Sequence, residues 1–327
     1  MGNGISPAFR RGKAERVLEQ HTGERLATPA VGRLRPSGAS VGVRWDKPRG
    51  EFRPLWIWPT LLSLDAPLLA VLWQLLWQRS LGESLAPEVA ATTACVVWLI
   101  YVADRIFDSF HEDEQALPLR HRFYRRYRAL FFAPFAAVFA ITGWLAWNRL
   151  DPQIRRGGVV LMLLIAGYFA AVHLLGKSRR RWFPKEFVVA VFFGLGVCLP
   201  VMVGLGAHTI SSALPILLFI LLLWMNAVFI EYSEWKALGQ ADPLHRSSLL
   251  IGRHFPISVA AIGVVIAFAC TSPALRDVWP ILAAEGLSAL ALLGLYAGRR
   301  NASLTTLRAA ADAALLTPAL VFFFIHL

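Results

Sequence analysis

The sequence predicts an all-α polytopic membrane protein, a bundle of about nine transmembrane helices with a cytoplasmic N-terminus. Apolar runs of 17 or more residues recur along it, the length at which a helix crosses roughly 30 Å of hydrocarbon. The composition, 56% hydrophobic and only 17% charged, is unlike that of a soluble chain of 327 residues. The positive charge also alternates: with the N-terminus inside, the inner loops between spans carry 17 Lys and Arg and the outer ones 5. That asymmetry is the signature of inward-facing loops. It also accounts for the net charge of +12 without a nucleic-acid partner, and none is expected.

Residues 1–54 are polar and rich in Gly, Pro and Arg, with 11 Lys and Arg against 5 acids. Such a composition cannot bury a core and reads as a disordered basic tail on the cytoplasmic side, near anionic lipid. The bundle follows over 55–327, with spans at about 57–78, 88–104, 129–148, 157–176, 186–206, 212–231, 255–271, 279–297 and 308–326. Cys95, Cys198 and Cys270 all fall inside apolar runs without metal-binding spacing, and read as small buried residues.

The second span ends in WLIYVADRIFDSFHE, where Asp104, Asp108 and Glu112 recur every four residues. On a helix they share one face, and like charges there repel one another. A solvated helix end pairing with Arg105 or Arg120 is the ordinary explanation. In a membrane protein, a carboxylate row at the end of an apolar segment points rather to a cation. A second group, NAVFIEYSE, closes the sixth span with Glu231 and Glu234, again on one face. Alternatively, these two simply pair with Lys236 at the interface. Topology puts both groups on the cytoplasmic side, where they can face each other across the bundle.

Magnesium gives that pairing a chemical sense, since it takes oxygen ligands and is commonly held by one or two carboxylates together with substrate phosphates. Arg-rich loops at 120–128 and 176–185 flank the acids. Most of that charge is topological, but Lys177 and Lys185, nearest the predicted helix ends, and Arg105 are placed to meet a diphosphate.

These residues resemble the UbiA superfamily of intramembrane prenyltransferases, which has nine transmembrane helices and aspartate-rich motifs after the second and sixth. The first motif of that family runs Asn-x3-Asp-x3-Asp. Two registers fit: Asp104 and Asp108 as the aspartates with Ile100 at the Asn position, or Asp104 at the Asn position followed by Asp108 and Glu112. For the second motif the chain offers Asn226, Glu231 and Glu234. Lys177 and Pro184 are similar to the family's Lys after the fourth helix and Pro before the fifth. Either RWDKPRG at 44–50 or LDAP at 64–67 is similar to its Arg-x-Asp-x-Pro region.

The resemblance implies Mg²⁺-dependent transfer of an isoprenyl group from a prenyl diphosphate to a hydrophobic acceptor within the lipid bilayer. Asp104 and Asp108 would be catalytic, and with Glu112, Glu231 and Glu234 would hold the metal. Tyr101, Tyr168 and Tyr232, near the predicted site level, are candidates to line the cavity and face an allylic cation. Asp65 and Asn226 are further cavity candidates. Asp312 either joins the cavity or pairs with Arg308, and Glu285 has no assigned role. Two other readings stand beside the enzyme. One is a UbiA-like bundle without catalysis, serving as a membrane binding or assembly subunit, which the Glu-for-Asp changes suggest. The other is a transporter using Asp65, Glu231 and Asp312. The expected location is the cytoplasmic membrane if the source is prokaryotic.

Overall fold

The computed structural model describes residues 58–82, 84, 86–111, 119–174, 185–204, 209–237 and 244–325. The predicted tail lies outside the described residues. Every regular element among those residues is a helix.

The first predicted span is interrupted. A single turn, α1 (Trp58–Leu61), precedes α2 (Asp65–Ser80). Between them Ser63 takes φ +58°, a left-handed conformation that side chains seldom adopt, and its hydroxyl lies 2.8 Å from the Tyr124 hydroxyl. At 16 residues, α2 is short for a membrane crossing. Four long helices follow: α3 (Pro87–His111), α4 (Leu119–Asn148), α5 (Pro152–Leu174) and α6 (Lys185–Gly204). Proline opens α3 and α5, where its missing N–H costs nothing. Both α3 and α4 outrun their predicted spans at the end carrying Asp104 and the 120–128 arginines, so polar helix extends beyond the apolar run.

Next comes α7 (Thr209–Ala237), and Gly194 of α6 lets Ile220 of α7 approach its backbone closely. The short α8 (Arg246–Arg253) meets α9 (Phe255–Cys270) at 83°, with Pro256 at the turn. A 3₁₀ turn leads into α10 (Trp279–Gly298), and the last predicted span is broken into α11 (Leu304–Ala313) and α12 (Pro318–Ile325), bent by 43°. Neighbours satisfy polar groups at that break, as a membrane interior demands. Trp73 Nε1 donates to Leu315 O at 2.8 Å, Thr317 Oγ1 donates to Ala284 O at 2.8 Å, and Ser288 Oγ stands 2.7 Å from Thr317 Oγ1.

Six of these helices are long and apolar enough to cross a membrane, or eight spans result if each bent pair is one. The expected nine is reached only by adding α2. Trp73 and Trp77 of α2 centre the main core; it draws on α6, α7, α9, α10 and the broken last span, and the Trp73 ring packs 4.4 Å from Phe219. A second cluster joins Val102 and Ile106 of α3 to Tyr124 and Phe131 of α4. The apolar windows of α4 and α5 are each only 11% buried, which leaves their outward faces for lipid.

Candidate functional site

At one end of the bundle α3 finishes, α6 begins and α7 finishes, and there the polar residues collect. Asp104, on α3, sits in the last turns before the described helix stops. Lys185 is the first residue of α6, and its Nζ lies 3.7 Å from Asp104 Oδ1. The same lysine interacts electrostatically with Glu231 of α7. Acids of the second and sixth predicted spans are thus brought to one lysine.

Glu231 also makes a side-chain hydrogen bond with Glu186. Glu186 is buried, and Ser248 Oγ of α8 donates to its Oε2 at 2.8 Å. The short α8 is seated by a second device: Gly252 has no side chain where the Tyr232 ring packs. Tyr232 also stacks on Trp235, with Lys236 Nζ 4.6 Å from its ring, so it holds α8 and the end of α7 together.

A neighbouring group gathers around α11. Arg308 Nη1 donates to Glu234 Oε1 at 2.7 Å, and one turn later Asp312 Oδ1 accepts from Asn226 Nδ2 at 3.3 Å. Asp312, Asp65 and Asp104 all act electrostatically on Tyr101, whose ring stands edge-on to Phe193 at 6.5 Å. Side chains from α2, α3, α7 and α11 therefore share one polar region. Asp312 joins it through Asn226, while Arg308 pairs with Glu234.

Other predicted residues fall elsewhere. Arg105 is buried: its Nη1 donates to the Thr60 carbonyl and its guanidinium lies 5.7 Å from the Tyr124 ring centre. It ties α1 to α3 and α4, and its charge also reaches Tyr101. Burial pushes the Tyr124 phenol above its ordinary value, despite the Ser63 hydrogen bond and the Arg105 charge. Tyr168 packs among aromatics, 6.0 Å from Phe192. Asp108 lies one turn beyond Asp104 on the same helix, and its side chain is outside the described residues. Glu112 and Lys177 are wholly outside them.

Among the described residues no three His, Cys, Asp or Glu gather closely enough to hold a metal. Two atoms nonetheless suit a cation: Glu231 Oε2 and Asn226 Oδ1 are buried acceptors without a donor among the described residues. The sequence reading missed Glu186, Ser248 and the docking of α8. Glu186 stands alone beside Lys185 with no acid three or four residues away, so spacing carries no signal for it. No family model, curated protein or solved structure matches the chain.

Proposed function

We propose that the chain is a UbiA-like intramembrane enzyme that transfers an isoprenyl group from a prenyl diphosphate to a hydrophobic acceptor. The carrying observation is the approach of Asp104 and Glu231, from two different helices, to the single lysine Lys185. In this reading nine crossings place the N-terminal tail and the polar region on the cytoplasmic side, as the 17-to-5 loop charge indicates.

Lys185 and Asp104 are 47% and 35% exposed and sit beyond ordinary hydrogen-bond distance. Such a pair contributes little and exchanges partners easily. An incoming diphosphate takes Lys185 as its counter-charge and releases Asp104. Asp104 and Asp108, with Glu231 and Glu234, are the residues to hold Mg²⁺, with Glu112 in reserve; the unpartnered oxygen of Glu231 fits that role. A bound ion supplies electrostatic stabilisation of the charge that grows on a departing diphosphate. Asn226 and Asp312 orient each other across α7 and α11, and Asp312 lies within electrostatic reach of Tyr101. The apolar interior excludes water and shelters the isoprenoid chain.

The test is magnesium-dependent release of diphosphate from an isoprenyl diphosphate by the purified full chain. Asp104→Ala and Asp108→Ala should each lower that rate at least tenfold; an unchanged rate in both refutes the reading. One observation favours the alternative, a binding or assembly subunit without catalysis. Asp104 and Glu234 already meet the cations Lys185 and Arg308. A stable stoichiometric complex, with neither metal nor diphosphate binding, decides for it.

A further inference from the structure

Away from the polar region just described, at the opposite end of the bundle, α10 carries a carboxyl that the proposed function leaves unused. Glu285 is 0% exposed, and neither of its oxygens has a hydrogen-bond partner among the described residues. The helices packed against α10 include α2, α7, α9, α11 and α12. The titratable groups within its electrostatic reach are two thiols, Cys198 of α6 and Cys270 at the end of α9. Among the described residues no cation acts on it. Its surroundings are the tryptophan-centred apolar core, where its neighbours Ile281, Leu282, Ala284 and Ala289 are all buried.

A second side chain shares this condition. Gln74 of α2 is 1% exposed, and neither amide atom has a partner among the described residues. Gln74 lies six residues before the end of α2 and Glu285 six residues after the start of α10. Those helix ends lie on the same side of the bundle, so both residues sit about 9 Å inward at 1.5 Å per residue. The break in the last span aligns them further: Trp73 is bonded to Leu315 and Ala284 to Thr317, on one three-residue segment. Two unpartnered, fully buried polar side chains from packed helices thus occupy one layer.

An ionised carboxylate without a counter-charge is not tolerated in an apolar interior; the group neutralises instead. We propose that Glu285 is a proton-binding site in this half of the bundle, its carboxyl held as the neutral acid and closed to bulk water. Its ligand is the proton, and Gln74, in the same layer, is a polar group that can give or accept a hydrogen bond there, with the unpartnered Trp77 Nε1 one turn further along α2. The proposal does not depend on the transferase reading, because none of its residues belongs to the carboxylate region at the other end.

Hydrophobic carbodiimides test it directly. A neutral carboxylic acid adds across the carbodiimide: its oxygen bonds to the central carbon, its proton passes to a nitrogen, and the adduct rearranges to a stable N-acylurea with nothing lost. The full chain in liposomes is treated with dicyclohexylcarbodiimide or with a water-soluble carbodiimide, then digested and analysed by mass spectrometry. Dicyclohexylcarbodiimide should modify the Glu285 peptide at least tenfold more than the water-soluble reagent does, and Glu285→Gln should lose the adduct. Equal modification by both reagents overturns the proposal, as does an unmodified Glu285 in samples whose other acids react. Wild-type labelling decides the matter even if Glu285→Gln does not fold.

Discussion

Lys185 Nζ stands 3.7 Å from Asp104 Oδ1, joining the start of α6 to the end of α3 across a gap longer than a hydrogen bond. Both side chains are substantially exposed. The pair therefore contributes little to the stability of the fold.

Lys185→Ala is accordingly expected to change unfolding stability by no more than about 0–1 kcal/mol. On the proposed function it also weakens prenyl diphosphate binding about tenfold, the loss of one charge-assisted contact. Thermal unfolding and isothermal titration with a non-hydrolysable prenyl diphosphate measure the two effects separately. A large fall in stability with unchanged binding would make Lys185 a structural residue.

Ser248→Ala removes the hydroxyl that donates to buried Glu186 at 2.8 Å. The carboxyl keeps its burial and its contact with Glu231 but loses a donor, a change that costs about 1–3 kcal/mol. Ser248→Thr, which retains the hydroxyl, should recover part of the loss. Chemical denaturation in detergent reads both variants, and equal stability of Ser248→Ala and wild type would show that the hydroxyl contributes nothing.

Gly252→Ala should be destabilising, because a Cβ there would collide with the Cγ and Cδ2 of Tyr232 and come within 2.9 Å of its Cβ. Overpacking of this kind costs about 1–3 kcal/mol. The cause is checked by a double-mutant cycle: in a Tyr232→Ala background the two ring contacts are gone and only the 2.9 Å approach to its Cβ remains, so the same substitution should cost clearly less. Additive losses would place the strain elsewhere.

The sequence made the long helices legible and hid their interruptions. Apolar runs such as those of α3, α6 and α7 mark spans because each run lies within a single helix. The interruption at Ser63 rests on Tyr124, 61 residues away, and local pattern holds no trace of such a partner. Pro318 was visible in the last span, but a membrane helix often tolerates proline. What accommodates the interruption here is tertiary: the Trp73 indole donates to the freed Leu315 carbonyl, while the Thr317 hydroxyl anchors the break to Ala284 O of α10. At the site, i to i+4 spacing brought out Asp104 and its row, and helix ends suggested that acids of two spans could meet. The lysine between them, the lone Glu186 and the serine of α8 belong to tertiary docking, which periodicity does not encode.

The broken last span yields the final prediction. Trp73→Phe keeps most of the ring volume that packs on Phe219 but removes the indole donor to Leu315 O. That carbonyl sits at the break: the Ala319 amide that would serve it in a continuous helix donates instead to Leu316 O at 3.1 Å. Leaving it without its donor costs about 1–3 kcal/mol. The cost should appear locally, because the segment also hangs on Thr317 and its contacts with Ala284 and Ser288. Hydrogen exchange should therefore accelerate at 314–321 in Trp73→Phe while α3 and α4, which lie in a separate cluster, keep their protection. Uniform acceleration across all helices would mean that the indole supports the whole core and not the break alone.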